Sequence, residues 1–535
     1  MRPQTRPTPE DLSLLAAQAT EQNGHAGSGK FDPHPWKKRL HDGRSPYGLN
    51  LEDRCETRES VVRVVRPGIL TLRSGNPASR AGSDETIDYN ELLAIGDTNM
   101  DTPQKLVGSS VPPPTWTRWN VLMLLSIAMF GNYYAYDAIA PLADTLQNLL
   151  GFSDTQLGTL NAIYSFPNIF MVLIGGIIVD RIGTRLSTLI FASICLVGVV
   201  LTAATSNFYV MAAGRLIFGL GAETMIVGIS TALGQWFVGR TLGFAFALNL
   251  SLGRAGSFAA DMSPTWAKSL YDQGWQPPLM LAAAMFAIAL AGAVGYFAFE
   301  WLAARRYTLQ RPVPPDKIDW GELWRFDLSF WYIVGLCVTF YSVIFPFRST
   351  FAIKYFQHAH DLTLEAASTI NSYVFFAAIF ATPLFGLLVD FIGRRSQLMA
   401  GGTLLLMIVF PVLAYTKLSL WVATALIGIA FSLVPAVMWP SIPYLVRANQ
   451  LGTAYGLMFM LQNAGLTALN LIVGALNDRY DAGVENPEGY LPMLWLFGIL
   501  SAAGLVFAGL LFVRESGPNG HRLEHPLPKS KLEQP

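Results

Sequence analysis

From Trp116 to Arg514 the chain repeats one feature, a long and mostly apolar run closed by a short polar turn. About 20 such residues wound into a helix cross the hydrocarbon of a bilayer, where each backbone polar group must find its partner within its own segment. Twelve runs can be counted, at about 119–142, 156–180, 186–205, 209–232, 240–263, 278–301, 328–347, 366–390, 396–415, 419–442, 451–476 and 490–513. Composition agrees, since 52% of the residues are hydrophobic and only 14% are charged, against about 25% charged in soluble domains. The expected fold class is an all-α polytopic membrane protein, with twelve transmembrane helices in two six-helix bundles embedded in a lipid bilayer.

The runs divide the 535 residues. Residues 1–117 are rich in Pro, Gly, Arg, Asp and Ser without a sustained helical or strand period, and are expected to form a mostly disordered cytoplasmic tail. Residues 118–304 hold the first bundle, 305–327 a cytoplasmic linker around Arg311-Pro-Val-Pro-Pro-Asp-Lys317, 328–513 the second bundle, and 514–535 a second cytoplasmic tail. Arg181, Arg185, Arg240, Arg305, Arg306, Arg394, Arg395, Arg447 and Arg514 fall on one side, and Lys268, Lys354, Lys417 and Arg479 on the other. Basic loops stay inside, so both termini are expected in the cytoplasm. No apolar core follows Met1-Arg-Pro-Gln-Thr-Arg6, so the first span is expected to act as its own insertion signal.

Two tail segments, Glu10 to Leu14-Leu15 and Asp88 to Leu92-Leu93, match the acidic dileucine pattern of endolysosomal or vacuolar sorting. The pattern is short, and chance competes with it. With this address the expected site is a lysosomal or vacuolar membrane, and without it the plasma membrane. A formal net charge of zero and the lack of a basic cluster argue against nucleic acid. Cys55, Cys195 and Cys337 suggest no disulfide framework.

The two halves repeat. Thr159-Leu-Asn161 leads to Gly176-Ile-Ile-Val-Asp180-Arg181-Ile-Gly183-Thr-Arg185, and Thr369-Ile-Asn371 leads at the same spacing to Gly386-Leu-Leu-Val-Asp390-Phe-Ile-Gly393-Arg394-Arg395. Parallel repeats of six helices place a solute site at their interface near the midplane. The duplicated loops are expected to gate. Gly176 and Gly386 would permit close helix approach, and Asp180 and Asp390 would lock to arginines such as Arg181, Arg185, Arg394 and Arg395, or to a helix N-terminus.

Glu223 and Arg254 stand alone as charges within apolar runs on consecutive helices. Burying a charge at that depth costs a few kcal/mol or more (~2.5–3.5 on insertion scales) unless it is paired or hydrated. One acid and one base suit a small zwitterionic solute, with Arg254 on its carboxylate and Glu223 on its amine. The competing reading is a structural ion pair between the two, although a bare buried pair contributes little net stability. Tyr133, Tyr136 and Asp137 share a helix face; they line the solute path, or they form an interfacial tyrosine belt with Asp137 as a cap. Phe345, Phe347, Trp439, Tyr455, Gln462 and Asn463 lie in second-half spans that carry no midspan charge, and an aromatic and amide wall there would bind side chains loosely. Pro440 would free a backbone carbonyl beside Trp439.

All seven histidines are expected outside the spans, and no Walker loop, nucleophile constellation, metal cluster or cofactor motif is present. An enzyme is not expected, and neither a metal nor a cofactor. With few groups to carry a proton, facilitated movement is favoured, and coupling through Glu223 stays open. The alternative is a proton-coupled carrier of organic anions such as a monocarboxylate, in which Arg254 binds alone and Glu223 carries the proton. A receptor or scaffold working through its long tail is a rival from another class.

The duplicated Gly-x3-Asp-Arg-x-Gly-x-Arg loop, with Arg215-x3-Gly219-x-Gly221 on the fourth run, resembles the signature of the major facilitator superfamily over about 118–513. A closer resemblance is to its lysosomal dipeptide transporters, the subfamily called major facilitator superfamily domain-containing protein one. It rests on Tyr133-Tyr134-Ala-Tyr136-Asp137, Gly219-Leu-Gly221-Ala-Glu223, Leu250-Ser-Leu-Gly-Arg254-Ala-Gly256-Ser257, Phe345-Pro346-Phe347, Trp439-Pro440 and Leu451-Gly452-Thr453-Ala454-Tyr455-Gly456. The resemblance implies a uniporter that releases dipeptides from an acidic lumen, with Glu223 and Arg254 on the peptide termini. It also implies a glycosylated single-pass accessory subunit. The long tail departs from the family. The outer loops hold no Asn-x-Ser/Thr site, since Asn249-Leu-Ser251 falls inside a span.

Overall fold

A computed structural model describes residues 60–66, 69–74, 85–88, 114–237, 240–303, 326–416, 419–447, 450–518 and 520–525. Leu14, Leu15, Leu92, Leu93, Cys55, Arg305, Arg306 and Lys417 lie outside the described residues.

Residues 1–109 form one unit and 110–535 another. In the first, Ser60–Arg66 (β1), Ile69–Ser74 (β2) and Glu85–Asp88 (β3) make an antiparallel meander with Val62 opposite Leu72 and Leu70 opposite Ile87. A tail without strand period is therefore corrected over these strands. The run Ser-Val-Val-Arg-Val-Val-Arg is rich in β-branched residues, and the residue types Pro-Gly that follow it in the sequence favour a turn. Such short strands are easily lost in a polar background.

The second unit is helical. Its twelve long helices are α1 (Thr115–Asp137), α2 (Asp154–Ile182), α3 (Thr184–Ala203), α4 (Phe208–Trp236), α5 (Arg240–Asp261), α6 (Gln276–Ala303), α7 (Leu328–Pro346), α8 (Leu364–Ile392), α9 (Arg395–Tyr415), α10 (Leu420–Met438), α11 (Leu451–Arg479) and α12 (Leu491–Glu515). Among the described residues ten stretches are long and apolar enough to cross a membrane. The two long helices left out are α1 and α5, which at 23 and 22 residues are long enough but more polar. These two carry Tyr133, Asp137 and Arg254.

Local signals set the ends. Ser153 and Gln156 close a reciprocal capping box at the start of α2, and Asn207, Asp327 and Thr363 cap α4, α7 and α8. The repeat is visible in the backbone, because α2 and α8 both stop at a glycine with positive φ, Gly183 at 83° and Gly393 at 71°. Only glycine adopts that turn without strain.

Two expectations fail at α7. Read from sequence it ends at 347, yet Pro346 passes into a π turn, Phe347–Phe351, and the helix continues as Ala352–His360. Proline removes one N–H from the ladder, and the wider turn absorbs the break. Leu328–His360 thus counts as one 33-residue apolar span. It contains Arg348, so the second half does carry a charge inside a span, and His358 and His360 are not outside the spans.

Each half has its own apolar core, around Phe218, Phe286 and Tyr296 in the first and Phe340, Phe347, Phe410 and Phe497 in the second. Lipid offers helices no hydrophobic drive to associate, so close backbone approach matters. Where α2 meets α11, a Cβ on Gly158 would lie 2.2 Å from the Asn470 carbonyl oxygen, and one on Gly474 would lie 2.4 Å from that of Asp154.

Candidate functional site

α4 brings Glu223 to its middle, and α5 brings Arg254 to the seam between the halves. Arg254 is 7% exposed. Its Nη1 donates to Thr382 Oγ1 at 3.2 Å, and its guanidinium lies 4.8 Å over the Phe431 ring. Both partners come from the second half, and neither is an acid. Glu223 is half-buried and makes no hydrogen bond or ion pair with any described residue. The two charges are therefore not paired with each other. Tyr133 stands within electrostatic reach of both. α5 can press on α1 there because Gly253 and Gly256 face it; a Cβ on Gly256 would sit 2.1 Å from the Phe130 carbonyl oxygen.

Tyr136 is buried, with its ring 4.7 Å from Tyr164 and 6.2 Å from Phe345 of the other half. Beneath it Arg215 donates to the carbonyls of Leu160, Ala135 and Tyr136 and to Asn161 Oδ1. That guanidinium is spent on joining α1, α2 and α4, which leaves Arg254 as the central cation without an oxygen-rich cradle.

The second half supplies aromatics. Phe345 stacks on Tyr341 at 5.8 Å and meets Phe431 edge-on at 5.9 Å. Trp439 stacks on Phe459 at 4.5 Å and donates its Nε1–H to the Tyr341 hydroxyl at 2.9 Å. Tyr455 donates to the Trp439 carbonyl at 3.1 Å; that carbonyl also accepts from the Ile442 backbone N–H in a tighter turn, because Pro443 lacks the N–H an α-helix would use there. Asn463 is buried and donates back to the Phe459 carbonyl on its own helix. Tyr341, Phe431 and Thr382 were not singled out from the sequence, because an aromatic or threonine in an apolar run carries no mark of its own.

Asp137 goes elsewhere. It pairs with Arg348 Nη1 at 3.1 Å, while Arg348 Nη2 pairs with Asp261 at 3.0 Å. All three are essentially without exposure. Asn371 donates to Asp261 at 2.9 Å and to the Arg348 carbonyl at 3.2 Å. Its repeat counterpart Asn161 donates to the Ser349 carbonyl and to Thr350 Oγ1. Further along the same helix Lys354 pairs with Asp154, and His358 with Asp144. Asp478 accepts from the backbone N–H groups of Asp154 and Thr155, both at 2.7 Å. Arg348, Lys354 and the His358 imidazole of the second half thus meet acids of the first at the ends of the helices far from the chain termini. The spacing of Arg348, Lys354 and His358 would have been a signal, had the helix been read through Pro346.

On the opposite side the duplicated loops are apart. A Cβ on Gly176 or Gly386 would meet nothing within 4 Å, so the close approach expected of these glycines is absent in this conformation. Asp180 and Arg181 are exposed. Arg185 lies over the Phe297 ring, and Arg395 bonds Asp390 of its own loop at 3.1 Å. Arg394 lies at the turn, with φ at 46°. Among the described residues, every hydrogen bond or ion pair between the halves lies from the middle to the far side. The molecule is closed at the far side and parts toward the side of its termini, although α11 keeps to α2 as far as Gly456 and Leu173.

Comparison with known proteins agrees with this architecture. A family model described as Major Facilitator Superfamily matches residues 125–356 and 344–534. A chain of Danio rerio named lysosomal dipeptide transporter MFSD1 is 32% identical over 410 residues, covering 73% of this chain and 88% of its own. Its Homo sapiens namesake is 29% identical over 455 residues, covering 82% and 96%. Among solved structures, a point mutant of the nucleoside transporter NupG superposes with a TM-score of 0.59 at 15% identity, over 74% of this chain and 99% of its own. That likeness speaks for the fold alone.

Proposed function

We propose, from the premise that this chain belongs to the Major Facilitator Superfamily and is a transporter, that it carries small zwitterions, dipeptides first, by alternating access. The observation that carries the reading is an unpaired buried cation and an unpaired half-buried anion, Arg254 and Glu223, sharing one tyrosine neighbour near mid-membrane. A charge at that depth needs a counter-charge, and a dipeptide supplies both, its carboxylate to Arg254 and its amine to Glu223. The printed names of the relatives support that solute. Tyr133 and Tyr136 contribute one wall and Phe345 and Trp439 the other, with Asn463 behind Phe459. Asp137, spent on Arg348 while the far side is closed, reaches solute only when that side opens.

With the basic loops in the cytoplasm, the open side faces the cytoplasm, and the far side faces a lysosomal or vacuolar lumen. Gly176, Asp180, Arg181, Arg185, Gly386, Asp390, Arg394 and Arg395 close the cytoplasmic side in the alternate state. The mode is facilitative uniport, and a glycosylated single-pass subunit accompanies the chain, as in the resemblance drawn from its motifs. The test is uptake of a labelled dipeptide into proteoliposomes. Arg254→Ala should abolish it, a loss of about 100-fold or more, while the variant elutes as a folded monodisperse protein. Full uptake in that variant would sink the assignment.

One observation favours a second reading. Glu223 has no protein partner among the described residues and is free to carry a proton beside an organic anion held by Arg254. Blocking the peptide amine separates the two. Acetylated dipeptides should fail to compete on the first reading and compete fully on the second.

A further inference from the structure

We propose that Tyr341 is a second carboxylate-binding residue, so that the solute carboxylate bridges Arg254 on α5 and the Tyr341 hydroxyl on α7. The inference rests on the zwitterion reading above and adds a residue to it. A phenol has one hydrogen to donate and lone pairs to accept. The acceptor side of Tyr341 is taken by Trp439 Nε1–H at 2.9 Å, and no described residue accepts its hydrogen. The residue is 8% exposed, so that hydrogen has little water to turn to. A buried donor left unmade is costly, and a donor that already accepts a hydrogen bond is polarised toward giving its own.

The ring that carries the hydroxyl is held in place by its surroundings. The ring is held by stacking on Phe345 at 5.8 Å, and Phe345 meets Phe431, the ring under Arg254. Trp439 is held in turn by its stack on Phe459. Tyr341 stands within electrostatic reach of the Arg254 guanidinium. A carboxylate has two oxygens, one for the guanidinium and one for the phenol. Because Arg254 belongs to the first half and Tyr341 to the second, a carboxylate bound to both joins the halves at the centre. An amidated solute keeps its size but loses the charge that makes both contacts strong.

The experiment is binding of a dipeptide and of its C-terminal amide to the full chain, read by thermal shift and calorimetry, for wild type, Tyr341→Phe and Trp439→Phe. Wild type should bind the acid more tightly than the amide. Tyr341→Phe, which keeps the stack and removes the hydroxyl, should weaken the acid about tenfold and the amide much less. Trp439→Phe keeps the phenol but frees its rotation, and should weaken the acid roughly two- to fivefold beyond any loss it causes for the amide. Equal losses for acid and amide, or no loss for either, would overturn the proposal in favour of a packing role. If wild type itself does not distinguish acid from amide, and Arg254→Ala changes neither, the carboxylate reading fails as a whole. That outcome is distinct from a failure of Tyr341 alone.

Discussion

The two sides of the bilayer unit are built from the same repeat and hold the halves in opposite ways. At the far side the repeated asparagines, Asn161 and Asn371, both reach across the seam, and around them Arg348, Lys354 and His358 meet Asp137, Asp261, Asp154 and Asp144. At the side of the termini the repeated loops reach across nothing, and Gly176 and Gly386 face open space. Symmetry of sequence therefore does not give symmetry of contact. The far lock is built on charges that the repeat does not duplicate, all on the extension of one helix beyond Pro346. A lock of that kind has to break and re-form in each cycle, and buried pairs suit this because their attraction is largely offset by desolvation.

The largest test of this contrast removes Arg348. Arg348→Ala would leave Asp137 and Asp261 buried without a cation, a cost of about 3–5 kcal/mol borne only by the state closed at the far side. The population should move to far-side-open. Ala140 is 1% exposed and packs into the core of the second half at that end, so Ala140→Cys reports on it. An impermeant maleimide added from the far side should label Ala140→Cys about tenfold faster or more once Arg348→Ala is added. Unchanged labelling would show that the charges do not hold the far side.

A second test uses the glycines, whose contacts predict opposite signs. Gly158→Ala would force a methyl to 2.2 Å from the Asn470 carbonyl oxygen; overpacking of this kind costs about 1–3 kcal/mol. It should raise far-side labelling of Ala140→Cys. A Cβ at Gly176 meets nothing within 4 Å in this conformation, so Gly176→Leu should change its stability little, but it would obstruct closure at the side of the termini. Far-side labelling should then fall and transport should slow. Labelling that moves the same way in both variants would break the comparison.

Much of this architecture could be read before any coordinates. Long apolar runs dictate membrane helices, the duplicated loop dictates two halves, and a lone charge such as Glu223 or Arg254 stands out against apolar neighbours. The misses share a cause, which is that their meaning lies in contacts distant along the chain. Pro346 reads as a helix end, and only the π turn after it reveals that Arg348 lies inside the membrane span. Asn161 and Asn371 mark the repeat, but nothing local says that each one crosses the seam. Tyr341 is one aromatic among many on α7, and its role depends on Trp439, 98 residues away. The two helices least apolar among the twelve, α1 and α5, are those that carry Tyr133 and Arg254, so polarity that weakens a membrane span in the sequence is itself a sign of the site.

The smallest predicted effect concerns the outermost pair, and its sign follows from the environment of Asp144. That residue lies on the short helix Ala143–Leu150, outside the spans, and His358 Nε2 bonds it at 2.7 Å while His358 Nδ1 meets the Tyr490 hydroxyl at 2.9 Å. The hydrogen bond from His358 holds the Asp144 carboxyl below its usual value; partial desolvation opposes this, and the charges of His358 and Lys354 with the Asn148 amide add to it. A depressed acid contributes stability that is complete above its ordinary pKa, near ~3.9, and is lost as pH falls through the lower folded value. This part of the far-side lock should therefore survive the mildly acid range. The stability difference between wild type and Asp144→Asn, about 1 kcal/mol for one part-buried hydrogen bond to a carboxylate, should be equal at about pH 7 and pH 5 and shrink only below about pH 4. A difference already gone at about pH 5 would mean that His358 does not hold the carboxylate, and that the far lock ends at Lys354 and Asp154.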